Sequence, residues 1–169
     1  MLLSAIISDT DMFKSPTTTQ LDLDVKERLE KITGLDSQEL GIELFKVKSD
    51  LEGKKTKDLI LDDSKEYDIP LGIKALISQV KVMELDKFLS KRKEEVLSEM
   101  NNIMKEKSVE LFILIITDLI NEGSEVFSTG RNDVFEKAMN VKLENNSVFI
   151  PGLMSRKKQV VPPLIGLKE

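Results

Sequence analysis

The run Leu-Phe-Ile-Leu-Ile-Ile over residues 111–116 constrains the fold more than any other stretch of the chain. In extended backbone, successive side chains point to opposite faces of a sheet. An unbroken apolar run therefore needs cover on both sides, as a central strand has. It is also far too short to cross a bilayer, which takes about 20 apolar residues. Residues 65–69 and 75–83 read as strands, with Ile77, Val80 and Val82 among polar neighbours and Pro70-Leu71-Gly72 as the turn between them. Residues 125–128 and 148–150 read as two more.

The helices that would supply the cover are legible from apolar spacing. Residues 84–105 carry Leu85, Phe88, Leu89, Val96, Met100 and Ile103 on one inward stripe, with Lys91, Lys93, Glu94 and Glu95 outside it. Residues 21–32 place Leu21, Val25, Leu29 and Ile32 on one stripe, with Gly34 as the stop. Asp36 with Glu39 has capping-box spacing and opens a helix through Leu40, Leu44 and Phe45 towards Lys48. Residues 56–61, with Thr56 as cap, and 133–139 read as short helices. Strands alternating with helices predict an α/β fold, a mixed β-sheet flanked by helices. At 169 residues the chain has room for one full domain, or a domain and part of another.

Composition excludes several chemistries. The chain has no cysteine and no histidine, which removes disulfides, thiolate nucleophiles, the commonest general base and the commonest transition-metal ligand. Its formal net charge of −5 argues against a dedicated nucleic-acid partner but not against a local cationic site. With neither a basic leader nor a spanning segment in the sequence, no membrane partner and a cytoplasmic location are expected.

The most distinctive motif lies near the end: Ser155-Arg156-Lys157-Lys158-Gln159-Val160-Val161-Pro162-Pro163-Leu164. A guanidinium fork and two ammonium groups on a proline-stiffened apolar anchor suit a phosphate oxyanion. A solvated charge run beside a docked tail has the same local pattern, and both readings stand. Gly53-Lys54-Lys55-Thr56 looks like the end of a phosphate-binding P-loop, but that signature needs a glycine where Lys48 stands. Thr117-Asp118, directly after the central strand, is either a catalytic carboxylate position or a turn cap. Lys91-Arg92-Lys93, followed by Glu94-Glu95, reads as a solvated helix face with internal pairing. Asp9 emerges from an apolar opening segment, residues 1–7, into the polar terminator Ser8-Asp9-Thr10, and Phe13-Lys14-Ser15-Pro16 with Thr17, Thr18 and Thr19 follows as a loop leading to a helix cap.

Residues 4–17 together with 155–164 resemble the family II, manganese-dependent inorganic pyrophosphatases of the DHH phosphoesterase superfamily. The resemblance continues through Leu61-Asp62-Asp63-Ser64-Lys65-Glu66-Tyr67, Leu114-Ile115-Ile116-Thr117-Asp118 and Leu143-Glu144-Asn145-Asn146, and so spans nearly the whole chain. It implies a two-domain enzyme with the active site in the cleft. The N-terminal domain would hold a manganese or cobalt pair, and the C-terminal domain would grip pyrophosphate, which arrives with magnesium. Residues 1–17 would be a remnant of the N-terminal DHH domain, and residues 18–169 the C-terminal substrate-binding domain. By motif position, Asp9 matches a metal ligand, while Lys65, Arg156 and Lys157 match substrate-binding cations.

Two departures accompany this. The family's other metal ligands, two histidines and three aspartates, lie upstream of the matching segment, and the chain has no histidine to replace them. Asp11 stands where relatives commonly have an apolar residue, and Thr18 where many have cysteine. A split gene product or a truncated reading frame fits, and the chain alone is expected to hold no metal stably and to be inactive. Its partners would be pyrophosphate and the missing N-terminal domain. The resemblance implies a homodimer for the family and allows a monomer for this fragment. Two other functions stay open: a stand-alone module that binds pyrophosphate or another polyanion without hydrolysis, and a phosphoesterase acting on polyphosphate or a nucleotide.

Overall fold

A computed structural model describes residues 1–48, 51 and 53–167. The chain divides into two compact units, Met1–Leu51 and Glu52–Glu169. The 17/18 boundary drawn from the resemblance falls inside the first of these.

The first unit holds α1 (Leu2–Asp9), α2 (Gln20–Thr33) and α3 (Ser37–Lys48). The apolar opening segment is helical and buries Leu3 and Ile7. Thr19 caps α2 reciprocally: its hydroxyl accepts from the Asp22 amide, and the Asp22 carboxylate accepts from the Thr19 amide at 2.8 Å. The Thr19 hydroxyl, which also donates to the Asp22 carboxylate at 2.7 Å, and the Thr19 amide together hold the Asp22 carboxyl below its ordinary range. Gly34 ends the helix in the left-handed region at φ 69°. Asp36 Oδ1 accepts from the Gln38 and Glu39 amides at 2.7 and 2.9 Å, so α3 starts where its cap spacing places it. The α2 stripe is only partly covered. Val25 and Leu29 are half-buried, whereas Leu21 and Ile32 stay exposed.

The second unit runs α4 (Thr56–Asp62), β1 (Ser64–Ile69), a 3-10 turn (Pro70–Gly72), β2 (Ile73–Val82), α5 (Leu85–Lys107), β3 (Leu111–Asp118), β4 (Gly123–Gly130), α6 (Asn132–Met139), β5 (Ser147–Pro151), a π-helical turn (Arg156–Val160) and α7 (Val161–Ile165). The strands lie in sequence order in one five-stranded sheet. β2 and β3 are parallel, joined by the α5 crossover, and the other pairs are antiparallel. The sheet is therefore mixed, with β3 at its centre and every β3 residue buried.

Helices cover both faces. On one, Ile77, Ile113 and Val126 pack with Val134 and Phe135 of α6 and with Val160, Val161 and Leu164 of the C-terminal segment. The alternating residues Leu76, Phe112 and Leu114 point the other way. There α4 and α5 bury Leu59, Ile60, Val96, Met100 and Ile103. Among the described residues no helix is long and apolar enough to cross a membrane.

Two local expectations are corrected. Thr56 is the first residue of α4, not its cap, which is Lys55. Its hydroxyl instead accepts from Arg92 Nη1 at 3.0 Å, and the same nitrogen donates to the Lys54 carbonyl at 2.9 Å. Arg92, expected on a solvated charged face, ties α5 to the start of α4, because a long guanidinium can reach carbonyls that a local ion pair would not satisfy.

Gly130 ends β4 at φ 92°, and a Cβ there would run into the Glu110 carbonyl oxygen. Gly130→Ala adds a left-handed penalty to a backbone clash. It is expected to lower unfolding free energy by about 2–4 kcal/mol, read from urea denaturation midpoints at constant m-value.

Candidate functional site

The C-terminal basic motif is not a tail. Val160, Val161 and Leu164 are core residues, so the segment is anchored immediately after its cations. The five-residue π turn is wider than an α turn, a geometry frequent at functional sites. Gln159 fixes its entry. Its Oε1 accepts from the Met154 and Ser155 amides, both at 2.9 Å, and its Nε2 donates to the Gly152 carbonyl at 2.8 Å. The Ser155 hydroxyl accepts from the Lys158 amide at 3.3 Å. The three cations then separate by burial: Arg156 is buried, while Lys157 and Lys158 are exposed.

Arg156 is only 7% exposed, and its charge is met from two directions. Nη1 donates to the main-chain carbonyls of Asp63 and, at 3.2 Å, Ile77. Nη2 donates to the Asp63 carboxylate at 2.8 Å. Nε is buried and has no hydrogen-bond partner. A guanidinium is the cation best suited to such a place, being planar, permanently charged and weakly hydrated.

Its backbone is positioned by Gln79, a buried residue of β2. Gln79 Oε1 accepts from the Arg156 amide at 3.1 Å, and Nε2 donates to Thr117 Oγ1 at 2.8 Å and to the Met154 carbonyl at 3.0 Å. Thr117 is met in turn by Ser124 of β4, whose hydroxyl lies 2.9 Å away. A chain of buried hydrogen bonds thus runs from β4 through β3 and β2 to the basic turn.

Lys65 is exposed on the edge strand β1, with Ile77 as its cross-strand partner. By the pleat, Lys65, Tyr67 and Ile69 share one face. Tyr67 and Ile69 pack in the cluster that also contains Val160 and Leu164. The structure therefore brings Lys65 to the same face and edge of the sheet as Arg156, which bonds to Ile77, and its neighbour Lys157.

Asp9 is the last residue of α1, and its side chain is exposed. Thr10 follows with its hydroxyl on the Ile6 carbonyl at 2.7 Å, and Asp11, Met12 and Phe13 are all left-handed, with φ of 51°, 58° and 66°. Asp11 is buried. Among the described residues no three histidine, cysteine, aspartate or glutamate side chains gather where they could hold a metal ion. One exposed carboxylate does not fit a manganese or cobalt pair, which takes several ligands for each ion.

Thr117-Asp118 resolves into structural work. Asp118 Oδ1 accepts from the Ile120 and Asn121 amides at 2.8 and 3.0 Å, capping the β3–β4 turn. Sequence reasoning did not single out Gln79 or Asp63 as site residues. The signal for Gln79 was present: a polar amide inside an apolar strand needs buried partners. Asp63 stands in the Leu61–Tyr67 stretch that carries the resemblance, but its contact with Arg156 joins residues 93 positions apart.

A DHHA2 domain model matches residues 42–167. A manganese-dependent inorganic pyrophosphatase from Methanocaldococcus jannaschii is 46% identical over 97% of this chain and 53% of its own length. A cobalt-dependent inorganic pyrophosphatase from Clostridium perfringens is 41% identical over 97% of this chain and 30% of its own. A crystal structure from Methanococcus jannaschii, assigned to the family II inorganic pyrophosphatases, superposes with a TM-score of 0.86 at 45% identity, covering 97% of this chain and 53% of that one. The chain spans about half the length of the first of these relatives.

Gln79→Met keeps the length of the side chain but strands the Arg156 amide and the Met154 carbonyl. It is expected to lower stability by about 1–3 kcal/mol in urea unfolding. A loss indistinguishable from zero would show that the buried relay contributes nothing.

Proposed function

The chain belongs to the DHHA2 domain family, and on that basis we propose that it is the substrate-gripping lobe of a manganese- or cobalt-dependent inorganic pyrophosphatase. The observation that carries this reading is the anchored basic turn: a buried guanidinium held on two carbonyls, with the exposed ammonium of Lys157 beside it. Residues 1–17 then belong to the metal-binding domain of such an enzyme and residues 18–169 to the lobe.

Pyrophosphate carries its charge on two phosphoryl groups, and its cleavage builds charge on the leaving phosphate. Within this chain, Arg156 offers a planar fork of fixed orientation, and Lys157 and Lys65 offer compact, mobile positive charge on the same sheet face. Their work is binding and orientation. No catalytic step is assigned to Asp9, because the ligands around it do not make a metal centre. Hydrolysis therefore requires metal ligands beyond those that the described residues bring together.

A second reading is a module that binds pyrophosphate, or a related polyanion, without cleaving it. It is favoured by the same metal-ligand deficit among the described residues. The two separate in one experiment: phosphate release from pyrophosphate with manganese or cobalt, measured for the chain alone and with the metal-binding domain of a relative added. The lobe reading expects release only from the mixture, whereas the binding module expects none from either. Release by the chain alone would overturn both.

Calorimetry tests the grip itself. Pyrophosphate affinity is expected to fall as ionic strength rises. Arg156→Lys, which loses the fork, is expected to weaken binding about tenfold or more. An unchanged Kd in a folded Arg156→Lys protein sinks the assignment.

A further inference from the structure

The guanidinium of Arg156 is not satisfied evenly. Nη1 rests on two main-chain carbonyls, that of Ile77 in β2 and that of Asp63, itself held by the Gln79 amide. The opposite edge, made by Nη2 and Nε, is the one a tetrahedral oxyanion takes in a bidentate pair. Of that edge's two donors, Nη2 is held at 2.8 Å by the carboxylate of Asp63, and Nε is buried with no hydrogen-bond partner. A buried donor left unsatisfied is unfavourable, and native proteins rarely leave one without a reason.

Asp63 is the exposed member of the pair. It sits between α4 and β1, and its side chain is 57% exposed while that of Arg156 is 8% exposed. Its main chain is fixed independently, since its carbonyl also accepts from the Gln79 amide at 3.1 Å. The carboxylate can therefore turn into water without loosening the backbone beneath it. Arg156 would stay oriented by its two carbonyls and by Gln79.

Resting on the phosphate-gripping reading above, we propose that Asp63 is a counter-ion latch: its carboxylate engages Nη2, one of the two donors of that edge of Arg156, and a phosphoryl group binds by displacing it. Displacement exchanges one carboxylate contact for a two-point contact that also reaches Nε. It lowers affinity for weak anions, which gain too little to compete with Asp63. It favours a ligand that brings at least two anionic oxygens to one edge and further charge for Lys157 and Lys65. Pyrophosphate has this form; chloride does not.

The test is pyrophosphate titration of the folded chain by calorimetry, comparing wild type with Asp63→Asn, Asp63→Ala and the neighbouring Asp62→Asn. The two Asp63 variants are expected to bind about three- to tenfold more tightly, because the competing charge is gone. Asp62→Asn, one residue away and exposed, serves as the charge control and should shift Kd far less. In parallel, the Arg156 Nε–H resonance should move on saturation with pyrophosphate. Unchanged or weaker binding by the Asp63 variants overturns the latch while leaving the grip intact. Equal tightening by Asp62→Asn reduces the effect to net charge and overturns it too. Binding by the Asp63 variants when wild type binds nothing supports a latch that is shut. Failure of all four proteins to bind removes the grip itself.

Discussion

Two-sided burial of β3 is the constraint from which the rest of the second unit follows. Its apolar run puts Leu, Phe and Ile side chains on both faces of the sheet, all fully buried. At about 1.5–3 kcal/mol for each large apolar side chain, covering six of them is worth on the order of 10 kcal/mol. That is comparable with the whole net stability of a typical domain. No arrangement that leaves one face wet can compete. α4 and α5 answer for one face; α6, the π turn and α7 answer for the other.

The candidate site is a by-product of the second cover. The C-terminal segment must lie on the sheet to bury Val160, Val161 and Leu164, and its cations come with it. Arg156 then falls beside the end of the β1–β2 pair, where the carbonyls of Asp63 and Ile77 accept from its guanidinium. Core packing and charge placement are thus coupled. What holds the guanidinium is hydrogen bonding to main chain and to one carboxylate, and what holds the segment is apolar area.

Much of this was legible in the sequence because it depends on local periodicity or short spacings. The strands, the turn at residues 70–72, the long helix α5 and the cap at Asp36 are all of that kind. The mixed α/β class and the family resemblance also came from sequence, and the DHHA2 match agrees with them. The misses have a common physical origin. Arg92 bonding to Lys54 and Thr56, Gln79 receiving the Arg156 amide, and Asp63 meeting the guanidinium all join residues distant along the chain. Composition marks each as polar but does not say which backbone group it will find. The exposed Leu21 and Ile32 are the converse: apolar spacing predicts a stripe, not what covers it.

The π turn between Ser155 and Val161 makes spacing, rather than charge, the guarded quantity. Its amide from Val161 bonds back to the Arg156 carbonyl across five residues, so the cations and the core anchor are set at a fixed phase. Removing one residue there would return the backbone to α geometry and rotate the basic side chains by about 100° about the helix axis. The same three cations would then sit on the same core with no carbonyls under the arginine. A chain that kept the composition of this motif but changed its length would keep the electrostatic field and lose the address.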